Sequence, residues 1–421
     1  MDAGKNTDIG PGQPRRGPRR HARMRAALAA GTATAIAAAT GVLVLGGSAS
    51  AASTLRAGTA ARGHYAGVSV GQGDPGSSAA AGVAGTRSDM VAPSRPPSGR
   101  TGSLPGSFRW RSSGILISPH SDSHDIIAVK DPSVVRYRGT WYVYASTVNS
   151  SGDYGMEEIQ FSNWSQAASA TPVYMDQTAI GSGYKTAPQV FYFAPRKLWY
   201  LVYQTGDNAG YSTNPDITNP LGWSATRYFY SGMPSIISQN IGSGYWVDMF
   251  VNCDRANCYL FSMDDNGHLY RSQTSVADFP NGMSQPVIAA SNPTPYNFFE
   301  ADDVYKIAGQ QKYLLIVEAI SSSGHRYFTS YTSGRLDGSW TPLAASQSNP
   351  FIAASNVSFR GAAWTQDFSS GEMIRANYDQ QVTIDPRRMQ FLYQGDAPGS
   401  YSSYNAIPWR IGMVTQTSSR W

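Results

Sequence analysis

SVVRYRGTWYVYAS, residues 133–146, reads as two strands joined by a turn. Val134 and Val135, then Trp141-Tyr142-Val143-Tyr144, are β-branched and aromatic types that fit a pleated, half-buried surface, and Arg138-Gly139 supplies the turn between them. The same plan returns in QVFYFAPRKLWYLVYQ (189–204), CYLFSMDDNGHLYRSQ (258–273), DVYKIAGQQKYLLIVEAI (303–320) and GEMIRANYDQQV (371–382). Stretches with apolar residues at helical spacing are nearly absent, so the chain is all-β. Repetition of such a unit roughly every 50 to 60 residues predicts four-stranded blades around an axis, and five of them, a five-bladed β-propeller, fill residues 106–421.

The residues before that repeat have a different composition. Residues 1–25 are polar and arginine-rich, an apolar and small-residue run follows from Ala26 to Gly47, and Ala49-Ser50-Ala51 fits a cleavage site. Residues 1–51 therefore read as a secretory signal peptide, which makes the mature protein extracellular. A run so rich in Ala, Gly and Thr is a weak membrane anchor, and no membrane association is expected after cleavage. Residues 52–105, rich in Ala, Gly, Ser and Pro, bury too little apolar surface to fold and read as a linker.

The formal charge of +5 misleads if taken whole. Residues 1–105 hold 12 of the 33 Lys and Arg and 4 of the 28 Asp and Glu, leaving 21 against 24 in the repeat region. That balance removes the argument for a nucleic-acid partner. The aromatic bias suits stacking on neutral sugar rings, and a monomer is expected.

Cys253 and Cys258, in VNCDRANCYLF, predict one small disulfide across a hairpin turn. Of the six histidines only His120 and His124 have a metal-like spacing, in a polar lead-in, so zinc hydrolysis is poorly supported. Within residues 106–421 there is no G-x-S-x-G elbow and no glycine-rich phosphate loop, which argues against serine esterase and kinase chemistry.

Three acids stand in apolar or aromatic contexts: Asp131 in AVKDPSVVRY, Asp248 in GYWVDMFV and Glu300 in YNFFEADDVY. An acid beside large apolar groups on a strand either reaches solvent at an edge or is aimed at a polar cavity, because burying it unpaired is costly. Each alone also fits an ordinary turn or surface residue. Together, at similar points of propeller blades whose inner strands converge on one axis, they predict a shared pocket. Phe298 and Phe299 suit Glu300 to remaining protonated, as a general acid requires.

The collinear series KDPSVV, KLWYLVYQ, NPDITNPLGWSA, FFEADDVYK, YLLIVEAI, GSWTPLAASQSNPF and YNAIPWRIG resembles the α-L-arabinofuranosidases of glycoside hydrolase family 62, related to family 43, over residues 115–415. The resemblance implies a five-bladed propeller that releases arabinofuranose from arabinoxylan or arabinan with inversion. It implies Asp131 as general base, Glu300 as general acid and Asp248 as the third acid, which orients the general acid. Lys130, Gln189, Arg326, Tyr404 and Asn405 are the expected substrate contacts. No cofactor is needed for this chemistry.

Two positions depart from the family pattern. Thr205 stands where many members carry a xylan-stacking Trp, leaving Trp199 or Trp223 as replacements. Ser370 stands where a His helps bind a structural calcium, leaving Gln380 and His325 as the remaining metal candidates. Two rival functions share the fold: a family 43-like exo-arabinanase or β-xylosidase using the same acids, and a non-catalytic carbohydrate-binding propeller.

Overall fold

A computed structural model describes residues 102–399 and 401–417. The proposed signal peptide lies outside the described residues, as does all of the proposed linker but its last four residues. Five sheets carry the fold. Blade I is Ile126–Tyr137, Thr140–Asn149, Tyr154–Phe161 and Val173–Tyr174; blade II is Thr186–Phe193, Leu198–Gln204, Ala209–Asn214 and Arg227–Tyr228. Blade III is Val247–Cys253, Asn257–Met263, His268–Ser275 and Val287–Ser291. Blade IV is Glu300–Ile307, Tyr313–Ile320, Arg326–Ser333 and Thr341–Ser346, flanked by Asn349–Pro350 outside and Thr383–Ile384 inside.

Blade V closes the ring. Its inner strands, Ser369–Met373, Gln390–Gly395 and Arg410–Gln416, are followed outward by Trp110–Ser112 from the other end of the described chain and then by Val357–Ser358. Trp110 is 1% exposed, packs edge-on to Phe351 and donates from its indole nitrogen to the Phe351 carbonyl at 2.6 Å. The five-bladed β-propeller expected from the repeat is the fold observed, and the Cys253–Cys258 disulfide closes the hairpin of blade III as expected.

Each inner strand is tied to the next by a side chain that bonds to backbone. Ser133 accepts from the Val190 amide (I to II), and Gln189 bonds Val251 through both amide atoms (II to III). Asn252 donates to the Val304 carbonyl (III to IV), the Tyr305 hydroxyl accepts from the Met373 amide (IV to V), and Glu372 accepts from Val134 and Ser133 (V to I). Five polar links complete a ring around the axis. Buried polar groups need partners, and here those partners lie on the neighbouring blade.

A second repeat lies closer to the site. Each inner strand carries a register shift against its neighbour, at Lys130/Ser133, Thr186/Gln189, Val247/Phe250, Glu300/Asp303 and Ser369/Gly371. Asp131, Ala187, Asp248 and Ala301 sit at these bulges with φ of 48°, 51°, 58° and 57°. A non-glycine residue in the left-handed region is strained by roughly 1 to 3 kcal/mol, and it re-aims the chain where a strand would run straight.

Candidate active site

The bulges form one face of the axis, and Asp131 and Asp248 occupy the same position in blades I and III. Glu300 sits one residue earlier in blade IV, at the place that Lys130 takes in blade I. The expectation of equivalent points therefore holds for two of the three acids. Blade II places Ala187 at that bulge and contributes no acid. At the bulges, an axial cavity of about 40 Å³ is lined by the bulge residues, Asp131 and Asp248 among them, and by their successors, including Pro132, Pro188, Met249, Asp302 and Gly371. A volume of that size has room for a few waters.

Every bulge amide is capped by an acceptor. Gln394, Ser146, Gln204 and Glu318 bind the amides of Asp131, Ala187, Asp248 and Ser370 at 2.7, 2.7, 2.9 and 2.8 Å. Each acceptor lies on the second strand of the preceding blade, opposite the residue before that blade's own bulge. Blade III has Met263 at that place, and a thioether is a poor acceptor. The Ala301 amide is instead taken by Asp248 Oδ2 at 2.7 Å. Asp248 thus holds the segment that carries Glu300.

The remaining contacts fill the space between the acids. Lys130, 7% exposed, places its ammonium 3.5 Å from Asp131 Oδ2 and donates to the Tyr404 hydroxyl at 2.9 Å. Burial opposes its charge, but Asp131, Tyr404 and Tyr154 outweigh that and hold the ammonium well above its usual range. Arg326 pairs with Glu300 and Glu318 through one nitrogen and lies over the rings of Phe299 and Tyr404, 5.5 and 5.4 Å from their centroids. Tyr404 therefore stands between the cation beside Asp131 and the cation beside Glu300. Asn405 accepts from the Tyr154 hydroxyl at 2.8 Å, on the rim beside them.

The electrostatics follow from burial. The Asp248 carboxyl is driven well above the usual range by burial, then by the charges of Glu300 and Asp131, against the Ala301 amide and Lys130. Glu318, fully buried, is pushed up to about 7, by burial first and by Glu300, against Arg326 and the Ser370 amide. Asp265, in the turn between the second and third strands of blade III, is pushed up to about 9 by burial and by the charges of Glu300 and Asp248. Three carboxyls, Glu300, Glu318 and Asp265, thus gather at one guanidinium, with Asp248 beside Glu300, an arrangement suited to holding a proton.

Several expectations need correction. Gln189 lines the axial cavity but is 2% exposed and spends a bond from each end of its amide on Val251, so its main task is to lock two blades together. Trp199 and Trp223 are core residues, each 2% exposed, and neither offers a stacking face. The exposed rings tied to the site are Tyr184 and Tyr404, while the Thr205 hydroxyl is turned onto the Asn208 carbonyl. Tyr184 is anchored by its hydroxyl, which accepts from the same Gln204 that caps the Asp248 amide.

The two metal candidates do not meet. His325 lies in the turn after Tyr313–Ile320, near Glu300, and faces Asp367 at 3.2 Å. Gln380 accepts from the Cys253 and Ala194 amides, at the far ends of the inner strands of blades III and II. Among the described residues no cluster of three His, Cys, Asp or Glu is placed to hold an ion.

Glu318, Asp265, Gln204 and Gln394 were not singled out from the sequence. Glu318 left a signal: it is an ionisable residue in the apolar strand YLLIVEAI. Asp265 was hidden inside DDNG, which reads as a turn and nothing more.

Residues 109–415 match the model of glycosyl hydrolase family 62. The chain is 39% identical over 317 residues to α-L-arabinofuranosidase C of Cellvibrio japonicus, covering 75% of this chain and 48% of that protein, so it spans about half the length of that relative. It is 56% identical to the catalytic domain of a Coprinopsis cinerea family 62 α-L-arabinofuranosidase, with a TM-score of 0.73 over 75% of this chain and 98% of the other. It is 51% identical to a family 62 hydrolase solved with xylotriose, with a TM-score of 0.72 over 74% and 98%. With three acids on one propeller face and a family match across all five blades, the chain belongs to glycosyl hydrolase family 62.

Proposed function

We propose that this protein is a secreted α-L-arabinofuranosidase that removes single arabinofuranosyl side groups from arabinoxylan by single-displacement inversion. The observation that carries the reading is the convergence of Asp131, Asp248 and Glu300 on one face, with cationic Lys130 and Arg326 beside the outer two. Asp131, paired with Lys130, accepts a proton from the attacking water. Glu300 protonates the xylosyl oxygen as its bond to C1 breaks. The bond from water to C1 forms on the opposite face, so the α-glycoside yields the β anomer.

Asp248 holds the Glu300 segment through the Ala301 amide and adds negative charge that keeps a proton nearby. The xylan chain lies across the mouth, where the tyrosines of the rim give apolar faces with polar tips. The xylotriose bound by a 51% identical relative supports a xylan main chain, and the N-terminal segment supports export.

An anomer-resolved proton NMR time course on wheat arabinoxylan tests this. β-L-Arabinofuranose appears first as the sole early product. Xylose or arabinobiose instead would indicate a β-xylosidase or exo-arabinanase, and binding without release would indicate a carbohydrate-binding propeller. Glu300→Gln and Asp131→Asn each lower kcat on arabinoxylan at least about a hundredfold.

A further inference from the structure

The turn at residues 264–267 holds two adjacent aspartates with opposite tasks. Asp264 is fully buried and accepts from the Asn266 and His268 amides and the Tyr270 hydroxyl, with the His268 ring 2.8 Å away. These bonds make the turn rigid. The strand entry at Gly244 packs onto it so closely that a Cβ there would lie 2.0 Å from the Asp264 carbonyl. Asp265 follows with φ of 54°, a conformation Asp tolerates better than most residues.

Its side chain is the unusual one. Asp265 Oδ1 is buried without a hydrogen-bond partner among the described residues, and the carboxyl is within hydrogen-bonding reach of Glu300. Two carboxylates in contact in a desolvated site strongly disfavour being charged together, and a proton between them relieves the conflict. The other groups facing this pair are Asp248, Arg326, Glu318, Tyr404 and Tyr154. Arg326 is the one cation among them, and Glu318 shares it.

We propose that Asp265 is a positioning residue that shares the proton of Glu300 and keeps it aimed at the leaving oxygen. This rests on Glu300 being the general acid. In the resting enzyme one proton lies between the two carboxyls. When the C1–O bond breaks, that proton passes from Glu300 to the leaving oxygen and both carboxyls are left ionised beside Arg326. The proton that Asp131 takes from water returns to the pair through solvent, which restores the starting state. Glu300 alone beside Arg326 would give up its proton more readily, because a cation favours the charged form.

Asp265→Asn tests the proposal through the pH profile of kcat/KM on arabinoxylan. The alkaline limb moves about one unit toward acid, so activity at pH 7.5 falls about tenfold while activity at pH 4.5 stays within about threefold of wild type. KM and the acid limb are unchanged. Activity reduced by one factor at every pH, or an unmoved alkaline limb, overturns the proposal. A wild-type carboxyl carbon-13 NMR titration does not depend on the variant folding: two resonances titrating in linked steps support the pair, and independent titration near pH 4 overturns it. Failure of the underlying reading is separate, because it appears as Glu300→Gln retaining activity on arabinoxylan.

Discussion

Glu300 and Glu318 face each other across the first two strands of blade IV, and one nitrogen of Arg326 serves both. One cation thus answers two acids, of which Glu318 is the more deeply buried. The guanidinium is held in place without being committed to Glu300 alone.

Glu318→Gln leaves the full charge of Arg326 on Glu300, while the amide oxygen still caps Ser370. The alkaline limb of kcat/KM on arabinoxylan moves toward acid and activity at neutral pH drops about tenfold, with a small change at pH 4.5. Rate measurements across pH 4 to 8 check this.

Asp248 combines a charge with a cap, and two substitutions separate them. Asp248→Asn keeps an acceptor for the Ala301 amide and loses mainly activity. Asp248→Ala also strands that amide, and urea unfolding registers a further loss of about 1 to 3 kcal/mol.

Glu157, 1% exposed, is pushed up to about 8, by burial first and by the charge of Asp122, and its Oε2 has no partner among the described residues. Glu158 and Glu318 are pushed up to about 7 by burial. Groups raised above their unfolded values favour the folded state while protonated. Their contribution is complete below about pH 4.5 and is lost as pH rises through 7 to 8. Thermal unfolding measured at pH 5 and pH 8 gives the lower Tm at pH 8, and Glu157→Gln narrows the gap.

Tyr184 presents a ring at the mouth and is anchored to Gln204 by its hydroxyl. Tyr184→Ala raises KM for arabinoxylan several-fold and leaves kcat, and the kinetics on 4-nitrophenyl arabinofuranoside, near wild type. Parallel Michaelis curves on the two substrates check it.

Trp110 anchors the strand that closes blade V. Trp110→Ala costs about 3 to 5 kcal/mol of stability in denaturant unfolding, with KM unchanged because the strand lies toward the outer edge of blade V.

The all-β architecture was legible because alternating aromatic and β-branched residues around glycine turns, as in residues 133–146, are a local property of the chain. So was the Cys253–Cys258 pair, whose partners are joined by one hairpin. Asp131, Asp248 and Glu300 stood out because each is an acid in apolar surroundings, and that too is visible within a few residues. Tertiary structure decided the rest. Trp199 and Trp223 look like stacking platforms along the chain, but the packed blades bury them. Asp265 and Glu318 look like a turn residue and a stray strand acid, yet blade packing brings both to Glu300. A carboxyl's charge state is set by what lies within a few ångströms of it, and here those neighbours come from strands far apart in sequence.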